Sequence, residues 1–219
     1  MSSHGQTTVR RRLRSLHVLA DDDPRWKQGP VEQAAAACRG GAAVVQLRAK
    51  RATDGECLAW AKRIRELTHE VGALFVLNDR FDLALLSDAD GVHLGQDDLP
   101  PAHIPDGDRA RLLVGRSTHT LEQARAACDE PIDYLAFGPI FRTQSKASEY
   151  AARGVDALVE VVALAGALPV VAIGGIDPAR IGSVSARGAG AAVISAVAGA
   201  DAPETATRAL VRLLSEERT

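Results

Sequence analysis

Eight short runs rich in Val, Ile and Leu punctuate this chain, at 16–20, 44–48, 74–78, 91–94, 112–116, 134–137, 170–173 and 191–195. Helical patterns separate them at 31–39, 55–71, 121–128, 155–165 and 178–187, and a last one at 203–217 closes the chain. Strands joined through helices pair in parallel, because a helical crossover returns the chain to the same end of the sheet. Eight such units in 219 residues predict a closed (β/α)8 barrel, an α/β TIM barrel folded as a single domain. An open doubly wound sheet is the alternative, but the first turn, Asp21-Asp22-Asp23-Pro24, lacks a glycine-rich dinucleotide fingerprint. Local signals agree with the alternation. Thr120-Leu121-Glu122-Gln123 reads as a capping box and Asp177-Pro178 as a capped helix start, while glycines after Arg39, Val71 and Arg187 mark helix ends.

Composition narrows the function. Hydrophobic residues make up 46% of the chain and aromatic ones only 4%, so the core is built from Ala, Val, Leu and Ile, as suits parallel strands. A net charge of -2 offers no general attraction for nucleic acid or an anionic membrane. The basic run Arg10-Arg11-Arg12-Leu13-Arg14 precedes an apolar stretch too short for a signal peptide or a membrane span. Residues 1–14 therefore read as a flexible, solvated basic tail, and 15–219 as the barrel domain. Cys38, Cys57 and Cys128 are odd in number and far apart. They show neither metal-ligand spacing nor a disulfide framework, so reduced thiols in a cytoplasmic protein are expected.

The run Val44-Val45-Gln46-Leu47-Arg48-Ala49-Lys50 carries the first hint of chemistry. A strand has a side-chain period of two, so Gln46, Arg48 and Lys50 share a face with Val44. A face that changes from apolar to cationic at the strand end fits an opening onto an anion site, or a strand running out into solvent with a charged tip. In a barrel, the C-terminal strand ends converge on one mouth. Asn78-Asp79-Arg80 follows the third run and Gly95-Gln96-Asp97-Asp98 the fourth. These strands are neighbours, so Asp79 and Asp98 can reach a common point and hold Mg2+ together with waters and phosphate oxygens. The same residue types also cap turns by accepting from local amides.

Ser117 ends the cluster Gly115-Arg116-Ser117, and the stretch 138–146 carries Thr143, Ser145 and Lys146. Hydroxyls and a cation suit phosphate oxygens, and they also suit a polar surface loop. Gly174-Gly175 after the seventh run and Ile194-Ser195 after the eighth stand where barrels commonly bind phosphate at backbone amides. His93 lies mid-run in an apolar setting and reads as structural. The sum is two anion-binding groups at one mouth, with a carboxylate pair beside one of them. That predicts small-molecule substrates carrying two separate phosphate-type groups, one bridged by Mg2+. No Ser-His-Asp or Cys-His arrangement points to acyl transfer, which leaves positioning and charge stabilisation as the chemistry.

The segments Gln46-Leu47-Arg48-Ala49-Lys50, Asn78-Asp79, Ala89-Asp90-Gly91-Val92-His93-Leu94-Gly95-Gln96-Asp97-Asp98, Gly138-Pro139-Ile140-Phe141, Thr143-Gln144-Ser145-Lys146 and Ala172-Ile173-Gly174-Gly175-Ile176 together resemble the motif series of the thiamine-phosphate synthase family. The resemblance implies a (β/α)8 barrel that joins hydroxymethylpyrimidine diphosphate to a thiazole phosphate, releasing pyrophosphate. It implies that Gln46, Arg48, Lys50, Asn78, Ser117 and Lys146 hold the pyrimidine diphosphate, and that Asp79 and Asp98 bind Mg2+. Thr143, Ser145, Gly175, Ile194 and Ser195 would hold the thiazole phosphate. The implied mechanism is dissociative, with Arg48, Ser117 and Lys146 assisting departure of pyrophosphate, and a homodimer is implied too. Three places depart from the pattern: Ala49 and Arg80 stand where acidic residues are common, and 147–155 does not match. Arg153-Gly154-Val155, Gly115-Arg116-Ser117 and Phe137-Gly138 resemble instead the sister family of thiazole tautomerases, in which the residue matching His119 is a proton-transfer candidate. A packing role beside the capped helix start is the other reading of His119. A tautomerase, with one phosphate and no metal, is the alternative function, and a non-catalytic thiazole or thiamine phosphate binder is a second.

Overall fold

Eight parallel strands close on one another: β1 (Leu16–Asp21), β2 (Val44–Arg48), β3 (Leu74–Asn78), β4 (Gly91–Leu94), β5 (Leu113–Thr118), β6 (Tyr134–Phe137), β7 (Val170–Ile173) and β8 (Gly190–Val193). Each pairs with the next, and β8 returns to β1 through Leu16↔Ala191, so the predicted TIM barrel is the fold of this chain. The structure is a computed structural model that describes residues 3–143 and 150–216. Around the barrel lie α1 (Ser3–Leu13), α2 (Pro30–Arg39), α3 (Asp54–Val71), α4 (Phe81–Leu86), α5 (Asp106–Arg109), α6 (Leu121–Cys128), α7 (Gly154–Ala165), α8 (Ile181–Ser185), α9 (Ser195–Ala198) and α10 (Pro203–Glu216). None of the described helices is long and apolar enough to cross a membrane.

The pleat sorts each strand into two faces. Outward residues such as Val18, Val45, Leu47, Phe75, Val92 and Leu135 form one apolar layer with the helices. Inward residues Leu19, Val44, Leu74, Val76, Tyr134, Val171 and Ala192 fill the barrel. The expected alternation therefore holds: Gln46 and Arg48 point the same way as Val44, into the barrel rather than into its helical coat.

Three expectations need correction. The basic stretch read as a solvated tail forms α1. Leu13 is buried and Val9 packs on the same inner cluster, while buried His17 donates Nε2–H to the Leu13 carbonyl at 2.8 Å, so α1 is tied down against the N-terminal end of the barrel. Strand β5 runs on to Thr118 because Ser117 and Thr118 pair with Ala136 and Phe137 of β6; Ser117 thus stands on the barrel wall rather than in the following loop. The helix expected at 178–187 shrinks to Ile181–Ser185. Its first residues are taken up by a turn in which Asp177 Oδ1 accepts from the amides of Ala179 and Arg180, each at 3.0 Å.

Candidate active site

The mouth of the barrel is built outward from Arg48. Arg48 and Asp21 are register partners on neighbouring strands, and Arg48 Nη1 donates to Asp21 Oδ1 at 2.7 Å. The other carboxylate oxygen accepts from Trp26 Nε1 at 2.9 Å. Gln33, fully buried on α2, brackets the Asp21 backbone from both sides, accepting its N–H at 2.9 Å and donating to its carbonyl at 3.0 Å. A buried guanidinium needs its counter-charge, and this one is held with its direction set. Asp22 next door accepts from the amides of Lys50, Arg51 and Ala52, which fastens the loop that carries Lys50.

Lys50 reaches across to β3 and pairs with Asp79 through Nζ and Oδ2. Asp79 has φ 68, a left-handed conformation that Asp tolerates better than most residues. Its amide donates to the His93 carbonyl at 2.8 Å, which pins it to the end of β4. Asp98 curls back so that its Oδ2 accepts from the Gly95 amide at 2.6 Å. Partial burial pushes the Asp98 carboxyl above the usual carboxylate range, and the adjacent Asp79 carboxylate adds to that, against the Gly95 hydrogen bond. Asp79 and Asp98 are the residues here that could hold a cation, beside the Lys50 ammonium that already pairs with Asp79. Lys50, Asp79 and Asp98 line a hollow of about 290 Å³ with Arg48, Asn78 and Ser117. Arg80 turns away from it, to Asp54 and Asp82.

Ser117 sits at the centre. Its Oγ meets His93 Nε2 at 2.8 Å, and His93 Nδ1 meets the Tyr134 hydroxyl at 3.0 Å. The three residues come from β4, β5 and β6, and the His93 and Tyr134 rings stack with centroids 5.4 Å apart. Gly115 makes room for them: a Cβ there would stand 2.5 Å from His93 Nδ1. Arg116, on the opposite face of β5, donates to the Gly95 carbonyl at 2.5 Å and lies 3.1 Å from Glu130, steadying the loop that presents Asp98.

A second hollow runs through the middle of the mouth. Gln46, Arg48, Asn78 and Ser117 stand at one end and Thr143, Gly175, Ile194 and Ser195 at the other, with apolar Leu19, Ala136, Ile173 and Val193 between. At the far end the chain makes an anion-ready wall. Gly174 (φ 99) and Gly175 (φ 64) lie against the β6 loop, and a Cβ on Gly175 would stand 2.5 Å from the Arg142 carbonyl, so only glycine fits. Arg180 Nη1 donates to the Gly175 carbonyl at 2.9 Å. In a planar trans peptide the next N–H, that of Ile176, points the opposite way. The amides of Gly175 and Ile176 have no acceptor among the described residues, and both residues line the hollow beside Ser195 and Thr143. The first hollow and this one share Arg48, Asn78, Ser117 and His119 as walls, so the mouth is one continuous trench.

Every expected site residue that is described lines this trench: Gln46, Arg48, Lys50, Asn78, Asp79, Asp98, Ser117, Thr143, Gly175, Ile194 and Ser195. Ser145 and Lys146 lie outside the described residues. His119 lines it too, with Nδ1 donating to the Gly138 carbonyl at 2.6 Å and its ring stacked on Tyr150 at 4.3 Å. The sequence reading missed Asp21, taken for a turn residue, and the link from Tyr134 through His93 to Ser117. The inward parity of 17, 19 and 21 on β1 was the available signal for Asp21. Nothing local connects Tyr134 to His93, 41 positions apart.

Comparison with known proteins places this geometry. The family model described as thiamine monophosphate synthase matches residues 16–197. A thiamine-phosphate synthase of Anaeromyxobacter dehalogenans is 49% identical over 201 residues, covering 90% of this chain and 86% of the relative. One from Chlorobium luteolum is 42% identical over 204 residues, covering 93% and 94%. The solved structure of a thiamine phosphate pyrophosphorylase from Pyrococcus furiosus superposes with a TM-score of 0.87 at 37% identity, covering 96% of this chain and 100% of that one. With matched motifs, a matched barrel and near-complete coverage on both sides, this chain belongs to the thiamine monophosphate synthase family.

Proposed function

We propose that this chain joins hydroxymethylpyrimidine diphosphate to a thiazole phosphate, forming thiamine phosphate and releasing pyrophosphate. The observation that carries the reading is the trench itself. One end combines cations with a carboxylate pair, the other offers amides and hydroxyls, and an apolar stretch where two flat rings can meet lies between. A substrate pair with a diphosphate on one ring and a single phosphate on the other matches both ends.

The carboxylate end fits Mg2+. Asp79 and Asp98 present oxygen donors to an open hollow, and the crowding that raises Asp98 is relieved by a divalent ion. When bound, Mg2+ neutralises charge on the diphosphate. This chain's own residues do the rest. Arg48, its direction set by Asp21, holds the diphosphate from the barrel wall, and Lys50 holds it from the β2 loop. Lys146, which lies outside the described residues, is given by the family resemblance the role of taking the charge that grows on departing pyrophosphate. Ser117, held by His93, donates to the diphosphate side, while Gln46 and Asn78 orient the pyrimidine. Electron donation by the pyrimidine amino group spreads the positive charge left on its methylene, and the thiazole nitrogen then attacks. No protein nucleophile is required, because the pyrophosphate leaves before the thiazole nitrogen attacks.

The tautomerase alternative has no use for Lys50 paired with Asp79 beside Asp98, since a single-phosphate isomerisation involves no diphosphate. The test is to mix purified protein with both substrates and Mg2+ and measure thiamine phosphate as fluorescent thiochrome, with an EDTA control. Metal-dependent product is expected; none from folded protein refutes the reading.

A further inference from the structure

The outer rim of the trench at the ends of β6, β7 and β8 opens into a third hollow of about 480 Å³, ringed by three arginines, Arg25, Arg142 and Arg180. Two of them are committed. Arg25 pairs with Asp23 at 2.8 Å. Arg180 donates to the Gly175 carbonyl, stands 3.4 Å from Asp177 and lies over the Phe141 ring at 5.2 Å. Arg142 has no ion pair and no side-chain hydrogen bond among the described residues. Its backbone forms the wall against which Gly175 packs, and the exposed Arg142 lines the same hollow as Gly175, Thr143 and Ser195.

The inner wall of this subsite is made of dipoles only. The amides of Gly175 and Ile176 and the hydroxyls of Thr143 and Ser195 carry no net charge, whereas a phosphate monoester at neutral pH carries between one and two negative charges. Oriented amides already favour an anion; a guanidinium with uncommitted donors adds a charge-assisted fork that matches phosphate oxygens and that a neutral alcohol cannot use.

We propose that Arg142 is the cation that closes over the thiazole phosphate, making the chain selective for the phosphorylated thiazole over the free alcohol. Arg180 acts one step removed, holding the Gly175 carbonyl so that the Ile176 amide faces the same phosphate. This assignment rests on the synthase reading for the identity of the ligand, so the test includes a measurement that needs no turnover.

Calorimetric titration of the purified full chain with thiazole phosphate, and separately with the unphosphorylated thiazole alcohol, compares wild type with Arg142→Ala and Arg142→Lys. The expected result is about tenfold weaker binding of the phosphate in Arg142→Ala, the loss of one charge-assisted contact at an exposed rim. A smaller loss is expected in Arg142→Lys, and the alcohol should bind all three alike. In steady state, KM for thiazole phosphate rises by the same factor while KM for the pyrimidine diphosphate stays within twofold. Equal phosphate affinity in wild type and Arg142→Ala overturns the assignment, and so does failure of wild type to bind thiazole phosphate. A tenfold binding difference in a protein that makes no thiamine phosphate upholds the arginine assignment and refutes the synthase.

Discussion

Replacing Asp21 by Asn should cost this protein both stability and its hold on the diphosphate. The Asp21 side chain is 0% exposed and Arg48 is 14% exposed. Both carboxylate oxygens accept, one from Arg48 Nη1 and the other from Trp26 Nε1. An Asn amide offers one acceptor oxygen, so its NH2 must face one of the two donors. One buried donor left unmade costs about 1–3 kcal/mol, and a largely buried guanidinium that loses its counter-charge pushes the loss towards about 3–5 kcal/mol. We expect a loss of about 3 kcal/mol, which in a domain of this size lowers Tm by roughly 6–12 °C. Urea unfolding followed by tryptophan fluorescence measures it directly, because Trp26 is itself bonded to Asp21. Arg48, no longer directed, should raise KM for the pyrimidine diphosphate about tenfold and leave KM for the thiazole phosphate unchanged. An Asp21→Asn protein within 1 kcal/mol of wild type, on the order of one ordinary hydrogen bond, and with an unaltered diphosphate KM would refute the argument that Asp21 sets Arg48.

Four further outcomes can be checked on the wild type and three single variants. Burial lowers the His17 pKa to about 4 from an ordinary 6.5, so the unfolded chain binds this proton more readily and stability falls as pH drops from 6.5 towards 4. Between pH 7.5 and 5.5 the wild type should lose roughly 1.4 kcal/mol more than His17→Gln; parallel pH–stability curves would contradict this. Gly115→Ala drives a methyl into His93 and Tyr134 and should destabilise by about 1–3 kcal/mol while lowering kcat through the displaced Ser117; a variant normal in both respects would show that the barrel interior yields there. Asp98 ionises above the usual carboxylate range, so the Mg2+ concentration for half-maximal activity should fall as pH rises from 5 to 7. Asp98→Asn should lose the Mg2+-dependent turnover, and unchanged Mg2+ activation in that variant would remove Asp98 from the metal site.

Much of this was legible in the chain. The barrel follows from the alternation of β-branched runs and helical spacing, and the convergence of Asp79 with Asp98 follows from their place after neighbouring strands. Arg48 faces inward because the parity of a strand is a local property. Asp21 was hard to read as a site residue, because Asp21-Asp22-Asp23-Pro24 has the composition of a turn and its parity with His17 and Leu19 counts only if the strand runs on to it. The pairing with β2 carries β1 to Asp21, so the first Asp faces the barrel while the second fastens the loop behind Lys50. The N-terminal arginines suggested a solvated tail, since charge outweighs Val9 and Leu13 in any local count; the burial of Leu13 depends on the inner barrel cluster against which α1 packs.

Periodicity, caps and strand-end chemistry are written over a few residues at a time, and they suffice for the barrel, for its mouth and for most of the groups that line it. The tertiary structure alone decided which of those groups are held and by what. Asp21 on Arg48, Tyr134 through His93 on Ser117, and Arg180 on Gly175 join strand ends and loops through side chains, and the strength of each link depends on burial and direction. Both are properties of the closed barrel rather than of any segment, because a polar contact becomes specific only where the fold has excluded water and fixed the partners' orientation.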